Sequence, residues 1–475
     1  MNLRIHRREM LRKTAVAAGA AAGARLFGLP ALLAQRSPNS TLGTVVIGCV
    51  NQGKPAVNAA CSERVVALCD VDESHLAQAK AFIAEQHPDI QTSGIPEFYD
   101  YRKMFDKIHK DIDAVFIAAP DHHHAVCSIM AMKLGKNVYC EKPLAHSIGE
   151  VRAMMETARS SKVVTQMGNH HHSSESVRRL CEYIWAGAIG NVLETYSWAR
   201  TGRGGIGGRV PGEPVPAGLH WDEWIGPAAY RDYSHKLHPK LWRSWWEFGD
   251  GSVGDWGCHN LDGPFMALKL GQPSRVEAVE QVGGSGERYP LANALRWSFP
   301  ARGDMPPVKV HWYDGFKGTA EELAKLDEND PVGEHNRPPI VDEIEKKYNR
   351  KLKDGGAVFV GDKGILVAGN YCEGPRLVPE EKQRDFPAPD KTLPRVRKGL
   401  NHYTDFLRAC KEGGSPPASH FDYAGPLTEM VLLGCMAERA GVGKYVEWDS
   451  QKMECTNLPE LNRLVNREYR AGWTL

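Results

Sequence analysis

Four short segments hold side chains whose types and spacing could do chemistry. The apolar run that ends at Ile47 opens into Gly48-Cys49-Val50-Asn51-Gln52-Gly53, with Pro55 where a helix would make its first turn. A glycine-rich turn of this kind seats a pyrophosphate on the unpaired N–H groups of a helix N-terminus. Asp70 closes the next apolar run, 22 residues after Gly48. A carboxylate there binds adenosine ribose hydroxyls and repels a 2′-phosphate, and no arginine follows it in Val71-Asp72-Glu73. The expected cofactor is therefore NAD, with NADP disfavoured, and the expected contacts are Gly48, Val50, Asn51, Gln52, Gly53 and Asp70. Val50 stands where the dinucleotide fingerprint has its middle glycine, and its Cβ narrows the approach.

Two further strand-like runs end in polar clusters. Ala114 to Ala119 leads into Pro120-Asp121-His122-His123-His124, and Asn137 to Cys140 leads into Glu141-Lys142-Pro143. Open α/β sheets bind ligands at the carboxyl ends of their strands, which places both clusters at a cleft. In Gly249 to Asp262, Asp255 and His259 stand four apart, so on a helix they share one face. The triplets His122 to His124 and His170 to His172 offer imidazoles to a metal, but adjacent side chains diverge, and no metal site is expected from them. His170 and His171 follow a strand and are expected to touch substrate, as is Trp256. Trp256 belongs to a group of six tryptophans between 221 and 256, most of them expected to pack a core under a long loop. Lys236, Lys240 and Arg243 stand nearby, as a solvated rim or as partners for an acidic substrate.

The elements that must position these groups follow from periodicity. Runs at 44–50, 65–71, 114–119, 137–140 and 163–167 are apolar on both faces, as buried parallel strands are, with helical stretches between them. Longer alternating runs at 192–199, 275–282, 292–299 and 308–313, with 357–360 and 365–368, predict a mostly antiparallel sheet. Residues 201–218 are rich in glycine and proline, 315–355 form a charged insertion, and 400–441 have a helical pattern. The fold expected is α/β: an N-terminal Rossmann doubly wound parallel sheet over 42–169, then a C-terminal α+β domain over 170–475 with an open, mostly antiparallel sheet. The C-terminal helices are expected to pack back.

The glycine turn, Pro120 with His124 four residues on, Glu141-Lys142-Pro143 and the Asp255/His259 block together resemble the Gfo/Idh/MocA oxidoreductases. The resemblance spans about residues 42 to 472. It implies an NAD-dependent enzyme that moves a hydride between nicotinamide and a secondary hydroxyl of a sugar, sugar derivative or cyclitol. It also implies roles: His259 as general base, Lys142 as stabiliser of the developing alkoxide, Asp255 orienting them, and Glu141 and His124 at the cofactor. Two alternatives fit the same residues. One is an NAD-dependent glycoside hydrolase working through transient oxidation, and the other a non-catalytic sugar-binding regulatory relative.

Composition bounds the rest. With 475 residues, 42% hydrophobic and 25% charged, the chain is long enough for two or three domains. Residues 1–34 carry six basic groups and one acidic, a net +5 within a total of +1, so the remainder is mildly acidic and no nucleic-acid partner is expected. That basic start, with Arg7-Arg8 ahead of an Ala/Gly/Val run, reads as a twin-arginine export signal and predicts a periplasmic protein. Eleven cysteines without a C-x-x-C pair indicate neither a disulfide framework nor a zinc ribbon. The apolar face of 292–299, carrying Leu295, Trp297 and Phe299, is expected to pack on another subunit and so predicts a homodimer or homotetramer.

Overall fold

Residues 41–475 are described by a computed structural model, and within them the short apolar runs of the first third become strands with few exposed residues. They are β1 (Gly43–Ile47), β2 (Arg64–Cys69), β3 (Glu97–Phe98), β4 (Ala114–Ile117), β5 (Asn137–Cys140) and β6 (Thr165–Met167). All pair in parallel in the order β3-β2-β1-β4-β5-β6. The order reverses between β1 and β4, and a crevice opens there at the carboxyl ends. β3 escapes sequence reading because two residues carry no period.

The connections are α1 (Gly53–Ala60), α2 (Glu73–Gln86), α3 (Tyr101–Ile108), α4 (Asp121–Lys133) and α5 (Ile148–Ser161). Asp72 caps α2 through its side chain, which accepts from Ser74 N–H at 2.9 Å, and Leu76, Ala79 and Ile83 are buried on one face.

The second part contributes α6 (Glu175–Trp185), β7 (Val192–Ala199), α7 (Trp221–Ile225), α8 (Gly251–Asn260), α9 (Asp262–Ala267), β8 (Arg275–Val282), β9 (Ala292–Phe299) and β10 (Val308–Asp314). Then follow α10 (Ala320–Leu323), α11 (Pro339–Tyr348), β11 (Gly356–Gly361), β12 (Gly364–Gly369), β13 (Arg376–Val378), α12 (Glu380–Asp385), α13 (His402–Glu412), α14 (Phe421–Ala440), β14 (Tyr445–Asp449) and β15 (Glu454–Cys455). Nine strands align as β13-β12-β11-β7-β10-β9-β8-β14-β15, antiparallel except for the β7/β10 pair. The charged insertion holds two helices, α10 and α11.

One expectation fails here. The apolar face of β9 is not left for another subunit, because α14 of the same chain covers it. Leu295 and Trp297 are fully buried, and the Trp297 indole donates to Met430 O at 2.9 Å. The pattern showed that the face is buried and could not show by what. On the opposite face Glu277 pairs with Arg296 at 2.8 Å, and Tyr196 stacks on His311. α14 also packs on α5 and β6, and α13 on α1 and β5, so the end of the chain returns to the first sheet.

Four tryptophans, at 221, 224, 242 and 245, form a core with Leu237 and Phe248. All eleven cysteines are free thiols. Among the described residues no helix is long and apolar enough to cross a membrane. The signal expected over residues 1–34 lies outside the described residues.

Candidate active site

A cavity of about 530 Å³ runs from the turn after β1 to Tyr371 at the end of β12. Its nucleotide end is built from backbone. Gly48 has φ +82°, and a Cβ there would lie 2.5 Å from Ala118 O, so only glycine lets the turn meet the end of β4. Gly53 is packed so closely on Gly48 O that a Cβ would sit 1.9 Å from it. Gly53 therefore sets the approach of α1 and does not line the cavity, whereas Gly48, Val50, Asn51 and Gln52 do. Asn51 holds the turn in the left-handed region at φ 50°. Asp70 closes the turn: its Oδ2 accepts Cys49 N–H at 2.8 Å, and its Oδ1 accepts Asp72 N–H at 3.1 Å and lies 3.2 Å from His75 Nδ1. Two backbone N–H groups thus occupy one acceptor position on each carboxylate oxygen, and Oδ2 keeps a position for a ribose hydroxyl. The cradle that a Cβ would fill, with a carboxylate at its far side, fits an NAD pyrophosphate and adenosine ribose.

The reaction end is built from side chains of separate segments. Lys142, just past β5, is nearly buried and donates to Asp255 Oδ1 at 2.7 Å and Asp255 O at 2.6 Å. Two of its three donors are thus used and the third is free for a ligand. Asp255 and His259 project from one face of α8, as the four-residue spacing implied, and both line the cavity. Burial would raise the Asp255 carboxyl, but Lys142, Arg243 and Arg203 outweigh it and hold it well below the usual carboxylate range. Burial, with Lys142 beside it, pushes His259 well below 6.5, so the ring is neutral. Its Nδ1 is buried without a hydrogen-bond partner. A neutral imidazole beside an ammonium held by a carboxylate is a base next to an oxyanion donor.

Other expected residues fall differently. His124, expected at the cofactor, is 1% exposed, with its ring nitrogens 2.8 Å from Ala119 O and 2.7 Å from Pro143 O. α4 starts at Asp121 and turns this residue inward, so it ties the end of β4 to the loop carrying Lys142. Glu141 also sits below the cavity surface, near Tyr403 O–H at 3.3 Å and against Gly168, and burial raises it to about 7. Just past β5 the two adjacent side chains diverge, Lys142 lining the cavity and Glu141 not. His171 is turned away from the cavity, stacked at 3.9 Å behind Tyr371 and facing Glu373. His170 stands edge-on to His259 at 5.4 Å, behind the cavity surface. Pro120 and Trp256 line the cavity.

Two residues of the site were not found in the sequence, and a third was found with its role left open. Tyr371 faces Trp256 at 5.7 Å and closes the reaction end; it is held at φ 57° with its N–H on Asn260 Oδ1. Nothing in the sequence marks it. Arg203 reaches Asp255 Oδ2 at 3.2 Å from the glycine-rich segment, where an arginine flanked by glycines after a strand was the available signal. Arg243, weighed as a solvated rim or as a partner for an acidic substrate, reaches Asp255 Oδ1 at 3.4 Å.

At the adenosine end Asp72 Oδ2 lies 3.3 Å from His238 Nε2 and 3.7 Å from His75 Nε2, a set whose ligand types could hold a transition metal.

Residues 42–169 match the profile of the Gfo/Idh/MocA oxidoreductase family's NAD-binding Rossmann fold, and residues 191–280 that of its C-terminal alpha/beta domain. Levoglucosan dehydrogenase of Pseudarthrobacter phenanthrenivorans is 33% identical over 117 residues, 23% of this chain and 30% of that protein. The D-xylose 1-dehydrogenase (NADP+) of Hypocrea jecorina is 32% identical over 195 residues, 40% of this chain and 44% of that protein. The chain thus spans less than half the length of these curated relatives. The WlbA dehydrogenase from Bordetella pertussis, solved with NADH and UDP-GlcNAcA, superposes with a TM-score of 0.56 over 85% of this chain and 98% of its own, at 14% identity. At that identity the likeness shows the fold.

Proposed function

We infer that this chain is a Gfo/Idh/MocA oxidoreductase that oxidises a secondary hydroxyl of a sugar, sugar derivative or cyclitol with NAD, a reading supported by the match of residues 42–169 and 191–280 to that family's two domains. The observation that carries this is the meeting of Lys142, Asp255 and His259 in the same cavity as the Gly48 to Gly53 turn. Bound NAD supplies the hydride acceptor. Neutral His259 takes the proton of the substrate hydroxyl, and the free donor of Lys142 stabilises the alkoxide that forms. Asp255 fixes Lys142 through two contacts and keeps its charge in place. Trp256 and Tyr371 offer flat faces to the C–H side of a sugar ring.

Anaerobic mixing of the purified protein with NAD and a panel of sugars, sugar acids and cyclitols tests this by NADH absorbance. Turnover on one class supports the reading. Aryl release from chromogenic glycosides without net NADH would replace it with glycoside cleavage, and silence in both assays would remove it. Export by the twin-arginine route belongs to the same reading, and it is supported by Arg7-Arg8 and the apolar run behind them.

A further inference from the structure

Positive charge is in excess where the reaction would occur. Lys142, Arg203, Lys240 and Arg243 all line that end of the cavity, and Asp255 is the carboxylate that three of them share. The next carboxyl groups do not offset them. Glu141 and Asp121 are buried beneath the surface, where burial pushes the first to about 7 and the second well above the usual carboxylate range. Asp327 and Asp330 act on Lys240 more weakly than burial, Arg203 and Arg243, which together lower it.

The two arginines are held in place, unlike groups on a solvated rim. The Arg203 N–H donates to Ser252 Oγ at 2.8 Å, which ties its loop to α8. The Arg243 guanidinium lies 4.2 Å over the Trp242 ring, and its Nη1 donates to Lys240 O. Their side chains are 20% and 21% exposed. Each reaches Asp255 through Nε alone. Among the described residues, both terminal nitrogens of Arg203 and Nη2 of Arg243 have no hydrogen-bond partner. Planar guanidinium groups with unused terminal donors suit the oxygen pairs of carboxylates and phosphates.

We propose that the hydroxyl substrate is an anion, a sugar or cyclitol bearing a carboxylate or phosphate that docks on the terminal nitrogens of Arg203 and Arg243 with Lys240 beside them. This rests on the oxidoreductase reading and narrows its substrate class. The cofactor's own pyrophosphate is not the anion meant, since the Gly48 to Gly53 turn provides for it, whereas the arginines converge on Asp255, one helical turn from His259.

The test compares neutral parents with their charged derivatives: glucose with glucuronate and glucose 6-phosphate, and inositol with inositol monophosphate. Turnover with NAD and binding by tryptophan fluorescence are both measured. The expected result is a kcat/KM at least roughly 10-fold higher for one charged derivative than for its parent, the scale of a charge-assisted hydrogen bond. The carboxylate and phosphate arms tell the two sources apart. Arg203→Gln and Arg243→Gln should each erase most of that discrimination, and Arg203→Lys should restore part of it.

Preference for the neutral parents would overturn the proposal and leave the oxidoreductase reading standing. Weakening of NAD by the glutamine variants as great as that of substrate would also overturn it, by assigning the arginines to the cofactor. If nothing turns over but charged compounds bind in an arginine-dependent way, the anion site stands and the oxidoreductase reading falls. If neither charged class binds, the anion site falls.

Discussion

The two ends of the cavity are held by different forces. At the nucleotide end the shape comes from backbone: glycines without a Cβ, parallel strands in register, and a carboxylate that closes the turn from 2.8 Å. Those contacts lie within the first sheet and its connections. At the reaction end, side chains from α8, the loop after β5 and two loops of the second part meet around one carboxylate. A backbone-built site tolerates few substitutions but is local in sequence. A side-chain site can change its ligand by single replacements, and its parts are scattered along the chain.

The largest effect should come from the reaction end. His259→Ala and Lys142→Met should each lower turnover by roughly 10² or more, the usual scale for a positioned base or oxyanion donor. NAD affinity should change little in His259→Ala, because His259 sits on α8 of the second part while the glycine turn follows β1 of the first sheet. Loss of NAD binding in that variant, read by tryptophan fluorescence, would break the division of the cavity into two independent ends.

The next effect is structural. Gly48→Ala combines a left-handed φ of +82° with a Cβ 2.5 Å from Ala118 O. Backbone cannot yield as a flexible side chain can, so a loss of about 2 kcal/mol or more in urea unfolding is expected, with weaker NAD binding. By contrast Tyr371→Phe, at the side-chain end, should leave stability within about 0.5 kcal/mol. Equal losses in the two would erase the contrast.

A smaller change is expected at Asp70. Replacing it with Asn removes a charge that faces the ribose and weakens the Cys49 N–H contact, so NAD should bind roughly 10-fold less tightly. The preference over NADP should narrow, since the repulsion of a 2′-phosphate goes with the charge. Unchanged discrimination would point to His75 and His238 as the groups that read the ribose.

The same division explains what was legible in the sequence. The strands of the first sheet other than β3, the glycine turn, Asp70 and the shared face of Asp255 and His259 follow from local period and spacing, while the role of Lys142 came from the family resemblance. Strand β3 did not, because two residues give no alternation; β13 and β15, of three and two residues, share that limit, and β14, of five, was not assigned. At the site, the family resemblance put His124 and Glu141 at the cofactor, yet both side chains turn inward beside neighbours that line the cavity. The places of Arg203 and Tyr371 depend on how long loops fold back, and the same folding decides between the two roles that the sequence left open for Arg243. The face of β9 was recognised as buried, and its cover, α14, lies more than a hundred residues further along the chain.

The smallest expected effect is a flat line. A general base works deprotonated, so its activity is lost as pH falls through its pKa. An imidazole near 6.5 would lose roughly three quarters of its base form by pH 6. Burial and the Lys142 charge hold His259 well below that value. Oxidation, measured as kcat/KM, should therefore change little between pH 8 and pH 6, with the acid limb further down. The Lys142→Met variant sharpens the point: removing the positive charge should move the acid limb of the residual activity upward in pH. A wild-type limb centred near 6.5, unmoved by that substitution, would mean that the base is not held in the low-dielectric pocket beside Lys142, and the coupling that distinguishes the reaction end would be lost.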